Sequence, residues 1–425
     1  MAISSRSFKS YLVLLALIFA GEIIFSLPFH IARFFRPTFL EVFQLTNTQL
    51  GDVFAVYGVI AMLAYFPGGA IADHFSARKL MATSLLSTSL GGFYLYTIPS
   101  LTGLYAIFGY FGLTTILLFW AAMIKATREW GGQNSQGVAF GVLDGGRGLM
   151  ASIAASIAVF TFASVLADQL NNATLQKQAL QSVILFYSLA TLSAAIVIWI
   201  IVPGANTSAI SSRERIGRDV IQVAKNSTVW MQGGIIIAAY CGYKSLDNYG
   251  IYAVEILGMD QVEAAEFTTL GSYTRPIAAV IAGLIADRWM SSKLVSTFFG
   301  IAAATFLILG IISPEQVGTQ IILGNLLVTF FAMYALRGIY FTLLEESKLK
   351  ANMTGTAVGL ISLVGYTPDI FFASIAGRIL DANPGLTGFH HYFIMLTGIC
   401  LVGMLIAYFL GKQIHRPSIV YAPGP

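Results

Sequence analysis

Hydrophobic residues come in long blocks along this chain rather than in alternation with polar ones. A helix needs about 20 mostly apolar residues to cross the ~30 Å hydrocarbon core of a bilayer. Runs of that kind occupy roughly 11–35, 51–72, 80–99, 101–124, 137–166 and 180–203, and resume at 229–255, 267–286, 294–313, 318–342, 354–378 and 390–411. The pattern predicts twelve membrane-spanning helices, six on either side of one sustained polar stretch, Ser211-Ser-Arg-Glu-Arg-Ile-Gly-Arg-Asp219. An all-α membrane protein follows, with a first half at 1–203, a linker at 204–228 and a second half at 229–425.

Composition agrees. Hydrophobic residues make up 56% of the 425 and charged residues 10%, with a mean hydropathy of +0.76. A soluble domain carries about 25% charged residues, so this chain cannot cover a water-facing surface. Its net charge of +4 asks for no nucleic-acid partner, because inner-face loops of membrane proteins collect Lys and Arg. With both termini inside, sixteen Lys and Arg fall on the cytoplasmic side and only four, Arg33, Arg36, Lys177 and Arg378, on the outer side. That bias predicts cytoplasmic termini, in a bacterial inner membrane. Arg6 and Lys9 before an apolar run resemble a signal peptide, yet no clean small-residue cleavage site follows, so the run reads as a retained first helix. Cys241 and Cys400 lie inside apolar runs and read as buried free thiols.

One passage occurs twice. Gly69-Ala-Ile-Ala-Asp73-His-Phe-Ser-Ala-Arg78-Lys79 returns as Gly283-Leu-Ile-Ala-Asp287-Arg288-Trp-Met-Ser-Ser-Lys293, each copy closing an apolar run. Gly137-Val-Ala-Phe-Gly141 echoes Gly355-Thr-Ala-Val-Gly359 at nearly the same offset. Two echoes at one offset mean two similar halves. Twelve spans, a six-plus-six repeat, a central polar loop and Gly-x-x-x-Asp with a following Arg-Lys resemble the major facilitator superfamily over the whole chain. The chain departs from that pattern at His74, where the family usually has Arg or Lys, and at Ala77, where it often has Gly. In physical terms the motif is a latch: Gly69 permits close helix approach, and Asp73 at a helix end meets the positive N-terminus of another helix. The resemblance implies that this contact holds one of two access states. A plain helix-end capping aspartate beside loop charges is the alternative.

The resemblance also implies that the third helix of each triplet faces lipid. Spans three, six, nine and twelve accordingly lack Asp, Glu, Lys, Arg and His at 80–98, 180–203, 294–313 and 392–411. Charged groups inside other spans are expensive and mark functional sites by default. Glu22 lies near mid-depth in span one with no basic residue of its own helix in reach, which suits a proton carrier. His30 and Arg33 lie further out, with Arg36 as an interface residue. Asp144 and Arg147 share a helix face in span five, as Lys244 and Asp247 do in span seven, so local pairing is open for both. Arg275 and Arg337 have no acid three or four positions away, and Asp369 is the candidate partner for one of them.

His30, Arg33, Arg147, Lys244, Arg275 and Arg337 form the candidate substrate site, because guanidinium groups bind carboxylate or phosphate through two parallel hydrogen bonds. Glu22, Asp144 and Asp369 are the candidate proton-coupling groups. The stretch from Trp120 to Arg147 resembles the organophosphate and organic-anion branch of the family; that branch implies one basic residue on span one and another on span seven, matched here by His30 or Arg33 and by Lys244. Tyr57, Tyr240, Tyr243, Tyr249 and Tyr366 read mainly as packing. No phosphate-binding Gly-Lys-Ser/Thr loop, metal-ligand cluster or hydrolase signature is present. The expectation is a monomeric, cofactor-free secondary transporter of a small organic anion, symported with protons by alternating access. An exchanger or exporter, or a sensor of the same fold, remains the alternative.

Overall fold

The computed structural model describes residues 8–132, 136–166, 169, 172–204, 223–286, 288–346 and 354–415. Twelve long helical segments cross the protein: α1 (Phe8–Phe34), α2 (Asn47–His74), α3 (Ala77–Tyr96), α4 (Leu101–Gly131), α5 (Gln136–Leu166) and α6 (Ala173–Ile201). The second set is α7 (Ser227–Ser245 and Tyr249–Glu255), α8 (Gln261–Ala286), α9 (Ser291–Ile311), α10 (Thr319–Ile339), α11 (Thr354–Gly365 and Pro368–Ala382) and α12 (Leu386–Ile414). Ten of the twelve are long and apolar enough to cross a membrane unaided. The exceptions are α3, whose Ser and Thr dilute its hydropathy, and α7, which a turn at Leu246–Asn248 divides. The linker expected at 204–228 lies for the most part outside the described residues.

Lipid tails are as apolar as leucine, so helices in a membrane associate through close packing of small residues rather than through hydrophobic burial. Gly112 of α4 sits on the Tyr57 carbonyl of α2, and Gly403 of α12 sits on the Phe299 ring of α9. Large apolar side chains on α6 and α12, such as Leu189, Ile200, Val402 and Phe409, point outward. These two helices, with α3 and α9, bring no ionisable side chain to the centre.

Five helices are interrupted. A π-helical turn with Pro28 in it runs from Ser26 to His30 in α1, and another spans Thr114–Trp120 in α4. The breaks in α7, in α8 at Tyr273 before Pro276, and in α11 at Tyr366–Thr367 before Pro368 complete the set. Proline cannot donate the helix hydrogen bond, and π turns widen the backbone locally. Ionisable or aromatic residues of the centre stand beside every one of these breaks.

Because α1 begins and α12 ends on one face, that face is called the terminus face and the opposite one the far face. At the far face the two halves meet. Gly51 and Gly58 of α2 lie against the Ala373 and Asp369 carbonyls of α11, and Gly377 of α11 lies against the Asn47 carbonyl of α2. A Cβ at any of the three would strike backbone, so only glycine allows this approach. Asp381 at the end of α11 accepts hydrogen bonds from the Asn47 and Thr48 backbone N–H groups at 3.1 and 2.7 Å. Asp381 therefore caps the start of α2, whose next free N–H, that of Gln49, is taken by the Thr46 hydroxyl. Arg378 pairs with Asp52 beside this seam at 2.9 Å. Near the terminus face no such approach is made: a Cβ on Gly69, Gly141, Gly145 or Gly359 would meet no described residue within 4 Å.

Candidate functional site

Between the halves, just inside the far-face seam, lies a cavity of about 100 Å³. Its walls carry Glu22, His30, Arg33, Arg147, Lys244, Arg275, Arg337 and Asp369, so separate sequence signals from six helices converge on one place. Asp144 joins from the terminus-face side, with its side chain 46% exposed.

Two ionic clusters organise it, and each bridges the halves. In the first, Arg275 Nη1 of α8 donates to Glu22 Oε1 of α1 at 3.1 Å, while Arg147 Nε of α5 stands 3.1 Å from Glu22 Oε2. The Arg147 Nε–H itself is directed to the Gly21 carbonyl at 3.0 Å, which leaves Glu22 Oε2 buried without a donor. His30 Nε2 lies 3.4 Å from Glu22 Oε1, and Ser26 Oγ lies 3.2 Å from the ring's other nitrogen. Asp144 Oδ1 stands 3.5 Å from Arg275 Nη2 and 4.0 Å from Arg147 Nη1. In the second cluster Arg33 Nε of α1 donates to Asp247 of α7, and Arg33 Nη1 donates to the Tyr243 hydroxyl at 2.8 Å. Lys244 Nζ stands 3.5 Å from Asp247 and 3.3 Å from Asp369. The Tyr240 hydroxyl closes the chain by donating to Asp369 at 3.0 Å.

These contacts change several expectations. Glu22 is not partnerless: tertiary structure brings it two guanidinium groups and an imidazole from beyond its own helix turn, so the premise that singled it out as a proton carrier fails. Asp369 pairs with Lys244 rather than with Arg275 or Arg337. Arg275 finds Glu22 and Asp144 instead. The short-range pairs Asp144–Arg147 and Lys244–Asp247 are present, but each is one edge of a larger network. Arg36 does not reach for the interface; it is only 2% exposed and donates to Asn47. Tyr57, Tyr240, Tyr243 and Tyr366 line the cavity, whereas Tyr249 packs away from it against Phe330.

Arg337 stands apart. It is half-buried in the cavity wall, its Nη1 is buried with no hydrogen-bond partner, and no carboxylate of the described residues lies within 4 Å of it. Its guanidinium carbon sits 4.1 Å from the centre of the Tyr243 ring, the same ring that lies 4.7 Å from Arg33. Residue spacing gave no hint of that shared ring, because its two cations come from α1 and α10. Phe29 and Phe54 under Lys244, at 4.3 and 5.2 Å, were equally invisible; aromatic residues at helical spacing in a membrane span read as packing until their neighbours are known.

The latch residues behave differently. Gly69 and Gly283 face open space, and Asp73 is exposed and bonds to no described residue. Arg78 stacks on Trp199 of the same half at 5.1 Å, while Lys79 and Arg288 are exposed. Asp287 lies outside the described residues. None of the described latch residues makes a side-chain hydrogen bond, ion pair or ring contact with the described residues of the opposite half.

Comparison with known proteins places this architecture. The sequence profile described as Major Facilitator Superfamily matches residues 18–373. The chain belongs to the Major Facilitator Superfamily. It is an integral membrane protein of a transporter family and not an enzyme. Two relatives from Escherichia coli K12 match nearly end to end, each at 26% identity: Inner membrane protein YqcE, over 95% of this chain and 94% of its own, and Inner membrane protein YihN, over 96% and 97%. Among solved structures, a bacterial homologue of the human lysosomal transporter Spinster, in an inward-facing and unoccupied conformation, superposes with a TM-score of 0.75 at 13% identity, covering 97% of this chain and 98% of that one. The nucleoside transporter NupG gives 0.71 at 11% identity, covering 96% and 100%. At such identities the likeness is one of fold.

Proposed function

We propose that this protein is a secondary active transporter of a small organic anion, bound between its halves through Arg337 and driven by protons. The observation that carries the reading is the charge balance of the cavity. Arg33, Arg147, Lys244 and Arg275 each have a carboxylate within 4 Å, drawn from Glu22, Asp144, Asp247 and Asp369. Arg337, also in the cavity wall, has none among the described residues, and its Nη1 has no hydrogen-bond partner. Leaving its buried Nη1 unpaired is costly, and a guanidinium is the group best shaped to take a carboxylate, phosphate or sulfonate through two parallel hydrogen bonds. Tyr243, Tyr240 and Tyr366 stand around it as further hydroxyl partners. Arg147 and Lys244 complete the anion's surroundings.

For the proton, Asp144 is favoured over Glu22. A carboxyl that releases a proton to the compartment on the open side must reach it; the Asp144 side chain is 46% exposed there, and that of Glu22 4%. The excess of Lys and Arg supports a cytoplasmic terminus face, and the two relatives named as inner membrane proteins support that membrane. On this assignment the described state is open to the cytoplasm.

Thermal stabilisation of purified protein across matched anionic and neutral ligands tests the substrate class, because ligand binding raises apparent stability by mass action. An anion is expected to stabilise wild type and to lose its effect on Arg337→Gln. A neutral ligand, a nucleoside for instance, that stabilises both proteins alike overturns the anion reading. Uptake into proteoliposomes under an imposed pH gradient then tests the coupling: Asp144→Asn is expected to bind substrate but not to concentrate it.

A further inference from the structure

A cleft of about 1380 Å³, much roomier than the central cavity, lies on the outer flank of the second half, where the terminus-face ends of α9 and α12 come together. Ser292, Ser296 and Gly300 line it from α9 at every fourth position, and Met404, Tyr408 and Lys412 line it from α12 with the same spacing. The two helices close up deeper in the protein, where a Cβ on Gly403 would stand 2.6 Å from the Phe299 ring. The result is a slot with a small-residue and thioether floor, shut toward the far face and open at its terminus-face mouth.

The mouth is cationic. Lys293 and Lys412 are both exposed there, and neither has a carboxylate of the described residues within 4 Å. The nearby acid, Glu346, is already engaged: its two oxygens accept from the Ser292 N–H at 2.7 Å and the Ser292 hydroxyl at 2.8 Å, and His415 stands 3.5 Å away. Trp289 is 61% exposed beside the mouth, as aromatic residues at the headgroup level of a bilayer are. A zwitterionic headgroup brings a cation of its own to two ammonium groups, whereas an anionic headgroup meets both with attraction alone. A soluble anion has no use for the apolar slot behind them.

We propose that this cleft is a binding site for an anionic phospholipid, its phosphate held between Lys293 and Lys412 and one acyl chain lying along the α9–α12 slot. Basic pockets between spanning helices take such headgroups on the basic side of membrane proteins, and lysine stems lie along apolar surface while their ammonium groups stay at the interface. Lys293 closes the second copy of the repeated motif, whose Gly283 faces open space; in this half that basic residue serves the lipid rather than the latch.

The test uses the whole protein in nanodiscs of dioleoylphosphatidylcholine containing a minority of dioleoylphosphatidylglycerol, with retained lipid read by native mass spectrometry. Wild type is expected to keep phosphatidylglycerol in preference to phosphatidylcholine. Lys293→Gln/Lys412→Gln is expected to lose that preference by roughly 20- to 30-fold, the product of two lysine contacts near a charged surface. Lys79→Gln, which removes an equally exposed lysine of the terminus face, is expected to leave it unchanged. Equal retention of phosphatidylglycerol by wild type and the double variant overturns the proposal, as does equal retention of the two lipids by wild type. Should the double variant fail to fold, phosphatidylglycerol with a photoreactive acyl chain decides the matter on wild type. Label is expected on the α9 and α12 peptides, and label confined to other helices overturns the site.

Discussion

The two ends of the α2–α11 pair are built from the same parts and stand in opposite states. At the far face, Gly51, Gly58 and Gly377 let backbone meet backbone, and Asp381 at the end of α11 caps the first turn of α2. At the terminus face, Gly69 and Asp73 occupy the corresponding place at the end of α2, yet nothing approaches the glycine and no described residue bonds the aspartate. A helix-end aspartate preceded by glycine is therefore only half of a contact. In the latch expected from the sequence, the other half is a helix N-terminus that arrives in one conformation and departs in the other. Alternating access needs the two ends to differ in this way, because a protein held shut at both faces, or open at both, does not pump.

The comparison breaks most decisively at Gly58. Gly58→Leu drives a side chain into the Asp369 backbone, which has no flexible end to yield. It is expected to abolish transport and to expose a reporter cysteine at the far face to membrane-impermeant reagent; unchanged reactivity of that cysteine would show that the seam is not a moving closure. Asp73→Asn sharpens the other end. It is expected to leave folding and the far-face closure intact, since Asp73 bonds nothing described in this state, while lowering transport strongly by weakening the alternative one. Wild-type transport in that variant would return Asp73 to a plain surface role.

Asp381→Ala removes the acceptor of the Asn47 and Thr48 N–H groups, a loss of about 1 kcal/mol on the scale of helix caps. The ratio of far-face-closed to far-face-open molecules is expected to fall roughly five-fold, read by distance measurements between spin labels on the α2 and α11 ends. A population that does not move would leave the glycine contacts as the sole lock. The smallest effect belongs to Arg378→Gln. Its ion pair with Asp52 is largely exposed, and such pairs add little and fade with salt. Transport is expected to change by less than about two-fold; a large, salt-insensitive loss would show that this pair, and not the cap, holds the seam.

Much was legible in the chain alone, for physical reasons that act locally. A bilayer requires long apolar stretches whose backbone is satisfied internally, so the blocks of hydrophobic residues declared the spans, and the repeated Gly69–Lys79 passage declared the two halves. The cost of an intramembrane charge likewise made Glu22, Arg147, Lys244, Arg275, Arg337 and Asp369 stand out before any of them had a place. What those residues do to one another was decided only by tertiary structure. Glu22 lies 125 residues from Arg147 and 253 from Arg275, and no local spacing rule reaches so far. The same holds for Arg337, which a sequence marks as one more arginine without a nearby acid. Its lack of an acidic partner among the described residues goes with Asp369 having gone to Lys244 and Asp144 to Arg275. Ion pairing is a competition for a few partners in three dimensions; the chain names the competitors, and the packing of the helices settles which cation is left over.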